Sequence, residues 1–164
     1  MTGGRYEFNP SAVTASIEVF PKGEYEFQVG EPKAFAKEGD DEGKGGNFGV
    51  RFPIVIKAPG QYEGKRTVSS IYFHSEGGRS FAKQFMMAVM GYGKGETEEK
   101  RFDADMTGKD WSANYEGGDV GQAYREMTGM RVIGQLDITK NNRTGEPMQQ
   151  FKSWRPIGGE PIAQ

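Results

Sequence analysis

Aromatic rings interleaved with lysines and arginines are the pattern in this chain best suited to chemistry. Phe35, Lys37, Lys44 and Arg51 form one group, and Lys65, Arg66 and Tyr72 a second. Lys140, Arg143, Lys152, Trp154 and Arg155 form a third. Cations in such settings neutralise phosphates and release their counterions, while flat rings stack on unpaired bases. Stacking contributes roughly 1–3 kcal/mol per base and tolerates any base sequence. The ligand these residues fit is a single-stranded nucleic acid, with Tyr72, Trp154 and Phe35 as stacking rings and the cations on phosphates. Against this, a lysine or arginine on a strand is most often ordinary solvated surface. Tyr25, Phe27, Phe48 and Phe52 alternate as core residues do.

Other chemistry finds little to work with. The chain has one histidine, His74, and no cysteine, which removes disulfides, thiolate nucleophiles, a histidine triad and a zinc site. A lone histidine without partners cannot run acid–base catalysis. The segment Gly91-Tyr92-Gly93-Lys94-Gly95 lacks the spacing of a phosphate-binding loop. Asp103, Asp105, Asp110, Glu116 and Asp119 match no calcium-loop spacing and read as a solvated acidic stretch. No nucleophile–base pair can be assembled, so the expectation is a non-enzyme with no cofactor and no metal. The 21 lysines and arginines against 23 acids leave a net charge of -2. That excludes a strongly basic protein but not a local basic groove. No apolar run approaches the ~18 residues of a membrane span, and the first residues carry no signal-like apolar stretch. These features fit a cytoplasmic protein.

The elements that must position these residues are mostly strands. With 25 glycines and 8 prolines among 164 residues, the composition favours strands joined by turns. Tyr25, Phe27 and Val29 alternate in a first strand, which Ala34-Phe35-Ala36 carries on past a bulge at Gly30 and Pro32. Residues 37–46 form a flexible loop. Phe48, Val50, Phe52, Ile54 and Ile56 share one face of the second strand, which Pro53 marks as an edge or bulged strand. A third strand runs over 65–74. The period then changes to 3.6, and Phe81, Phe85, Ala88 and Val89 mark a helix over 80–90. Residues 92–120 read as a long loop insertion, with a short helical turn near 121–127. Two strands, 130–139 and 148–154, flank a turn at 140–147. The order β-β-β-α-β-β is that of the OB-fold, a five-stranded barrel with a helix between strands 3 and 4. The expected layout is an N-terminal arm over 1–20, one domain over 21–157 and a short tail over 158–164.

Several segments carry a resemblance when taken together. They are Pro21-Lys22-Gly23-Glu24-Tyr25-Glu26-Phe27, Phe48-Gly49-Val50-Arg51-Phe52 and Gly60-Gln61-Tyr62-Glu63-Gly64-Lys65-Arg66. Near the end Thr128-Gly129-Met130-Arg131-Val132 leads into Phe151-Lys152-Ser153-Trp154-Arg155-Pro156-Ile157. The series resembles a family of small bacteriophage single-stranded-DNA-binding proteins encoded among replication and recombination genes. The resemblance implies an OB-like barrel that coats unpaired DNA in the host cytoplasm, with replication or recombination proteins as further partners and oligomers possible. Such proteins commonly end in an acidic tail, whereas here Glu160 is the tail's only acid. The rival expectation is a β-barrel protein-interaction module, a phage structural or adaptor protein, anchored by Trp154 and Arg155.

Overall fold

The computed structural model describes residues 19–36, 47–158 and 162. Six strands form one antiparallel sheet: β1 (Gly23–Val29), β2 (Lys33–Ala36), β3 (Phe48–Ala58), β4 (Arg66–Tyr72), β5 (Arg131–Lys140) and β6 (Pro147–Pro156). The protein is mainly β. Residues 1–18 of the expected 1–20 arm and the expected loop at 37–46, including Lys37 and Lys44, lie outside the described residues, as does most of the tail; Phe20, at the end of that arm, is buried in the main core.

β3 organises the sheet. Its second half pairs with β1, Phe27 opposite Ile56 and Val29 opposite Ile54. Its first half pairs with β2, Phe35 opposite Gly49 and Lys33 opposite Arg51. β1 and β2 are thus two halves of one long strand, broken at residues 30–32, the interruption Gly30 and Pro32 announce. The other side of β3 pairs with β4, from Gly49 opposite Tyr72 to Val55 opposite Arg66. β1 also pairs with β5, and β5 with β6.

Pro53 therefore lies in a central strand rather than at an edge. Its carbonyl accepts the Gly30 N–H at 2.7 Å, and in an extended strand the N and O of one residue face the same neighbour. The missing proline N–H faces the break between β1 and β2, where no continuous ladder asks for a donor.

Alternation sends one face of each strand inward. Tyr25, Phe27, Val29, Val50, Phe52, Ile54, Ile56, Ile71, Val132 and Leu136 are all buried. Each large apolar side chain so buried contributes roughly 1.5–3 kcal/mol against exposure. Helix α1 (Glu76–Val89) covers this face with Ala82, Phe85, Ala88 and Val89. It starts at Ser75, whose hydroxyl accepts the Gly78 N–H at 3.0 Å, a cap worth about 1 kcal/mol. It stops at Gly91, whose φ of 90° suits a residue without Cβ. α1 packs on β4, β5 and β6, so it lies across the gap between β4 and β6. Those two strands do not pair among the described residues, and the sheet is open.

The stretch expected as a loop insertion contains a second helix, α2 (Glu96–Asp105), followed by the short α3 (Gln122–Arg125). Phe102 of α2 is buried with Met87 and Tyr92 in a small second core. Around it, Lys100 pairs with Glu96 and Arg101 with Glu98 along the helix, and Lys83 of α1 reaches Glu99 and Asp103 at 2.9 and 2.8 Å. No helix among the described residues is long and apolar enough to cross a membrane.

Candidate nucleic-acid interface

The outer face of β2, β3 and β4 is built by the register just described. Phe35, Gly49 and Tyr72 lie abreast, one from each strand. Two residues along, Lys33, Arg51 and Ser70 lie abreast in the same way. The Phe35 and Tyr72 rings meet edge to face over Gly49, with centroids 5.6 Å apart at 90°. A Cβ at Gly49 would sit 1.8 Å from the Ile71 carbonyl oxygen, so no other residue permits β3 and β4 to approach this closely.

The Arg51 guanidinium lies 4.7 Å from the Phe35 ring centroid, a contact that favours cation over ring and worth about 0.5–1 kcal/mol at an exposed site. His74 extends the aromatic row beyond Tyr72, at 5.5 Å. Phe48 touches His74 and Tyr115 from the adjoining end of the sheet, and burial pushes the Tyr115 hydroxyl pKa up. Beside Phe35 opens a cleft of about 360 Å³, lined by Glu31, Lys33, Ala34, Phe35, Arg51, Pro53 and Val68.

Charge pairing divides the sheet's outer face into two halves. On the half made by β1, β5 and β6 the cations are engaged: Arg131 with Glu26 at 2.9 Å, Arg155 with Glu24, and Lys152 with Asp137 at 3.8 Å. On the half made by β2, β3 and β4, Lys33, Arg51 and Arg66 form no ion pair with any described residue. Unpaired cations beside rings are what an incoming phosphate backbone requires.

The residues expected from the sequence accordingly separate. Phe35, Arg51 and Tyr72 come together on one face. Arg66 stands on the same face four positions down β4, roughly 13 Å from Ser70 at strand rise, with Lys65 just before it. Lys140 and Arg143 stand exposed on the β5–β6 hairpin, beyond the end of β1 away from β2.

Two expectations need correction. Trp154 is 2% exposed, stacked on Phe151 at 4.6 Å and set against Phe85 at 4.7 Å. It is a core residue, and no base can stack on it while the core stays packed. Arg155 gives both its Nε and Nη2 to the Glu24 carboxylate, at 2.8 and 3.1 Å. That bidentate pair holds β6 to β1 and commits the guanidinium elsewhere. Lys33, Pro53 and Val68 complete the site and were not anticipated. Lys33 had a signal, since it alternates with Phe35 and so shares its face. Compared with known protein families and with curated proteins, the sequence matches none.

Proposed function

We propose that this protein binds single-stranded DNA without strong sequence preference, through the outer face of β2, β3 and β4. The observation that carries the reading is the coincidence there of Phe35 and Tyr72 with Lys33, Arg51 and Arg66, cations that form no ion pair with any described residue, whereas Arg131, Lys152 and Arg155 on the other half of the sheet are paired. Bases stack on Tyr72 and the exposed part of Phe35, and the cations take phosphates. Lys65, Lys140 and Arg143 extend the track electrostatically. On this reading the sheet is an OB barrel with one seam unpaired: the long first strand pairs with the second and fourth, and α1 spans the seam. Following the resemblance to phage proteins, we propose that its work is to coat unpaired DNA during replication or recombination in the host cytoplasm, without catalysis.

The test is a fluorescence-anisotropy titration of labelled oligo-dT at two salt concentrations, with duplex competitor. Three phosphate contacts predict a log–log salt slope of about −2, hence roughly twentyfold weaker binding for a fourfold rise in salt. Tight, salt-sensitive binding that duplex fails to displace supports the reading. Absence of binding at low salt overturns it in favour of a protein-interaction module, for which exposed Val68 beside Pro53 would be the apolar anchor.

A further inference from the structure

The cleft beside Phe35 holds more chemistry than a stacking ring requires. Its volume is about 360 Å³, near the small end of ligand pockets, with room for one base rather than several. Phe35, Pro53 and Val68 give it apolar walls, Lys33 and Arg51 bring cations, and Glu31 brings one acid. Glu31 and Lys33 also line a neighbouring cleft of about 410 Å³ against the turn at 117–120, so they stand where the two clefts meet.

The acid is the unexpected member, because a carboxylate repels phosphates. The carboxylates carried by the six strands are all neutralised: Glu24 pairs with Arg155, Glu26 with Arg131 and Asp137 with Lys152. Glu31, in the break between β1 and β2, is exposed and forms no hydrogen bond or ion pair with any described residue, although Lys33 and Arg51 line the same cleft. An ionised carboxylate only accepts hydrogen bonds, so what it offers a ligand is a pair of acceptors for N–H donors. Bases differ in what they bring to such a wall. Guanine carries two adjacent donors, N1–H and its N2 amino group, spaced for the two oxygens of one carboxylate. Its other edge presents the acceptors O6 and N7, which suit arginine or lysine. Thymine offers a single N–H between two carbonyls, which a carboxylate repels. Adenine and cytosine each place a ring acceptor beside the amino group.

We infer that the cleft beside Phe35 holds one guanine base of the bound strand. Its N1–H and N2 amino group donate to the Glu31 carboxylate, its O6 and N7 edge lies toward the cations of Arg51 and Lys33, and its ring packs against Phe35 and Val68. The inference rests on the single-strand reading of this face and gives that face one discriminating position. Tyr72 and the remaining cations take the rest of the strand whatever its sequence.

The test titrates the full chain, by fluorescence anisotropy, with a labelled thymine oligomer of about 15 nucleotides, near the upper range of an OB-fold's site size. The same oligomer is then used with one central guanine, and with hypoxanthine in place of that guanine. Hypoxanthine keeps N1–H, O6 and N7 but lacks the N2 amino group. The expected result is binding about fivefold or more tighter with guanine, most of the gain being lost with hypoxanthine. Glu31→Gln should erase the guanine preference and leave binding of the thymine oligomer unchanged or tighter, since a negative charge leaves the groove. Binding of the thymine oligomer with no guanine preference overturns the inference and leaves the single-strand reading standing. A preference that survives Glu31→Gln, or that hypoxanthine matches, overturns it as well. Binding of none of the oligomers overturns the reading and the inference together.

Discussion

At the scale of residues, similar chemical types carry very different roles. Tyr72 is 37% exposed while Trp154 is 2% exposed, and substitution should separate them. Tyr72→Ala and Phe35→Ala should each weaken oligo-dT binding by about 1–3 kcal/mol, with an unchanged melting temperature by circular dichroism for Tyr72→Ala. Trp154→Ala should instead cost about 3–5 kcal/mol of stability, seen as a large fall in the urea midpoint. Equal stability of Trp154→Ala and wild type would refute its core assignment. The sequence reading put Trp154 on the binding face, and it went wrong there for a physical reason. The β5–β6 register shifts between Gln135 and Leu136, and the extra residue on β6 puts Phe151 and Trp154, three apart, on the same inner face. Strict alternation cannot anticipate that. Tyr72 and Arg51 were legible because no such irregularity intervenes between them and their neighbours.

At the scale of elements, the strands and α1 follow from period and punctuation, and each lies within a few residues of its expected place. The helix α2 does not. Glu96-Thr97-Glu98-Glu99-Lys100-Arg101 carries no apolar stripe, and only Phe102 is buried from the whole helix. The signal present was electrostatic: acids in the first turn, and bases three or four residues after acids. Exposed pairs of that kind are worth a few tenths of a kcal/mol each, so docking of Phe102 against Tyr92 and Met87 must supply much of the helix's stability. Phe102→Ala should therefore raise hydrogen exchange across residues 96–105 toward unprotected rates while amides of β1 and β3 keep their protection. Loss of protection throughout the sheet would show instead that α2 and the main core unfold as one unit.

At the scale of the whole molecule, pH reports on the seam between the two cores. Tyr124 is buried against Trp111, with ring centroids 5.1 Å apart, and burial pushes its hydroxyl pKa up to about 12 from 10.0. The folded state thus holds the neutral phenol that the unfolded chain gives up near pH 10. Its stabilising contribution is complete below that pH and is lost as the pH rises toward 12, by about 2–3 kcal/mol. Tyr25, Tyr92 and Tyr115 shift in the same direction and steepen the loss. The urea midpoint should fall between pH 9 and pH 11.5, and Tyr124→Phe should flatten that fall. An unchanged slope in the variant would assign the loss to the other tyrosines. The break at Gly30–Pro32 has a consequence of another kind, for how recognition divides from scaffold. β1 is clamped between β3 and β5 and carries most of its side chains in the core, whereas the four-residue β2 has β3 as its one strand neighbour among the described residues and meets the turn at Gly118 on its other side through the Ala34 N–H. On the DNA-binding proposal, replacements at Lys33 or Phe35 should be felt by the ligand more than by the fold. The same proposal then expects recognition at β2 to be separable from the scaffold: Lys33→Ala should change oligo-dT affinity while leaving the urea midpoint in place.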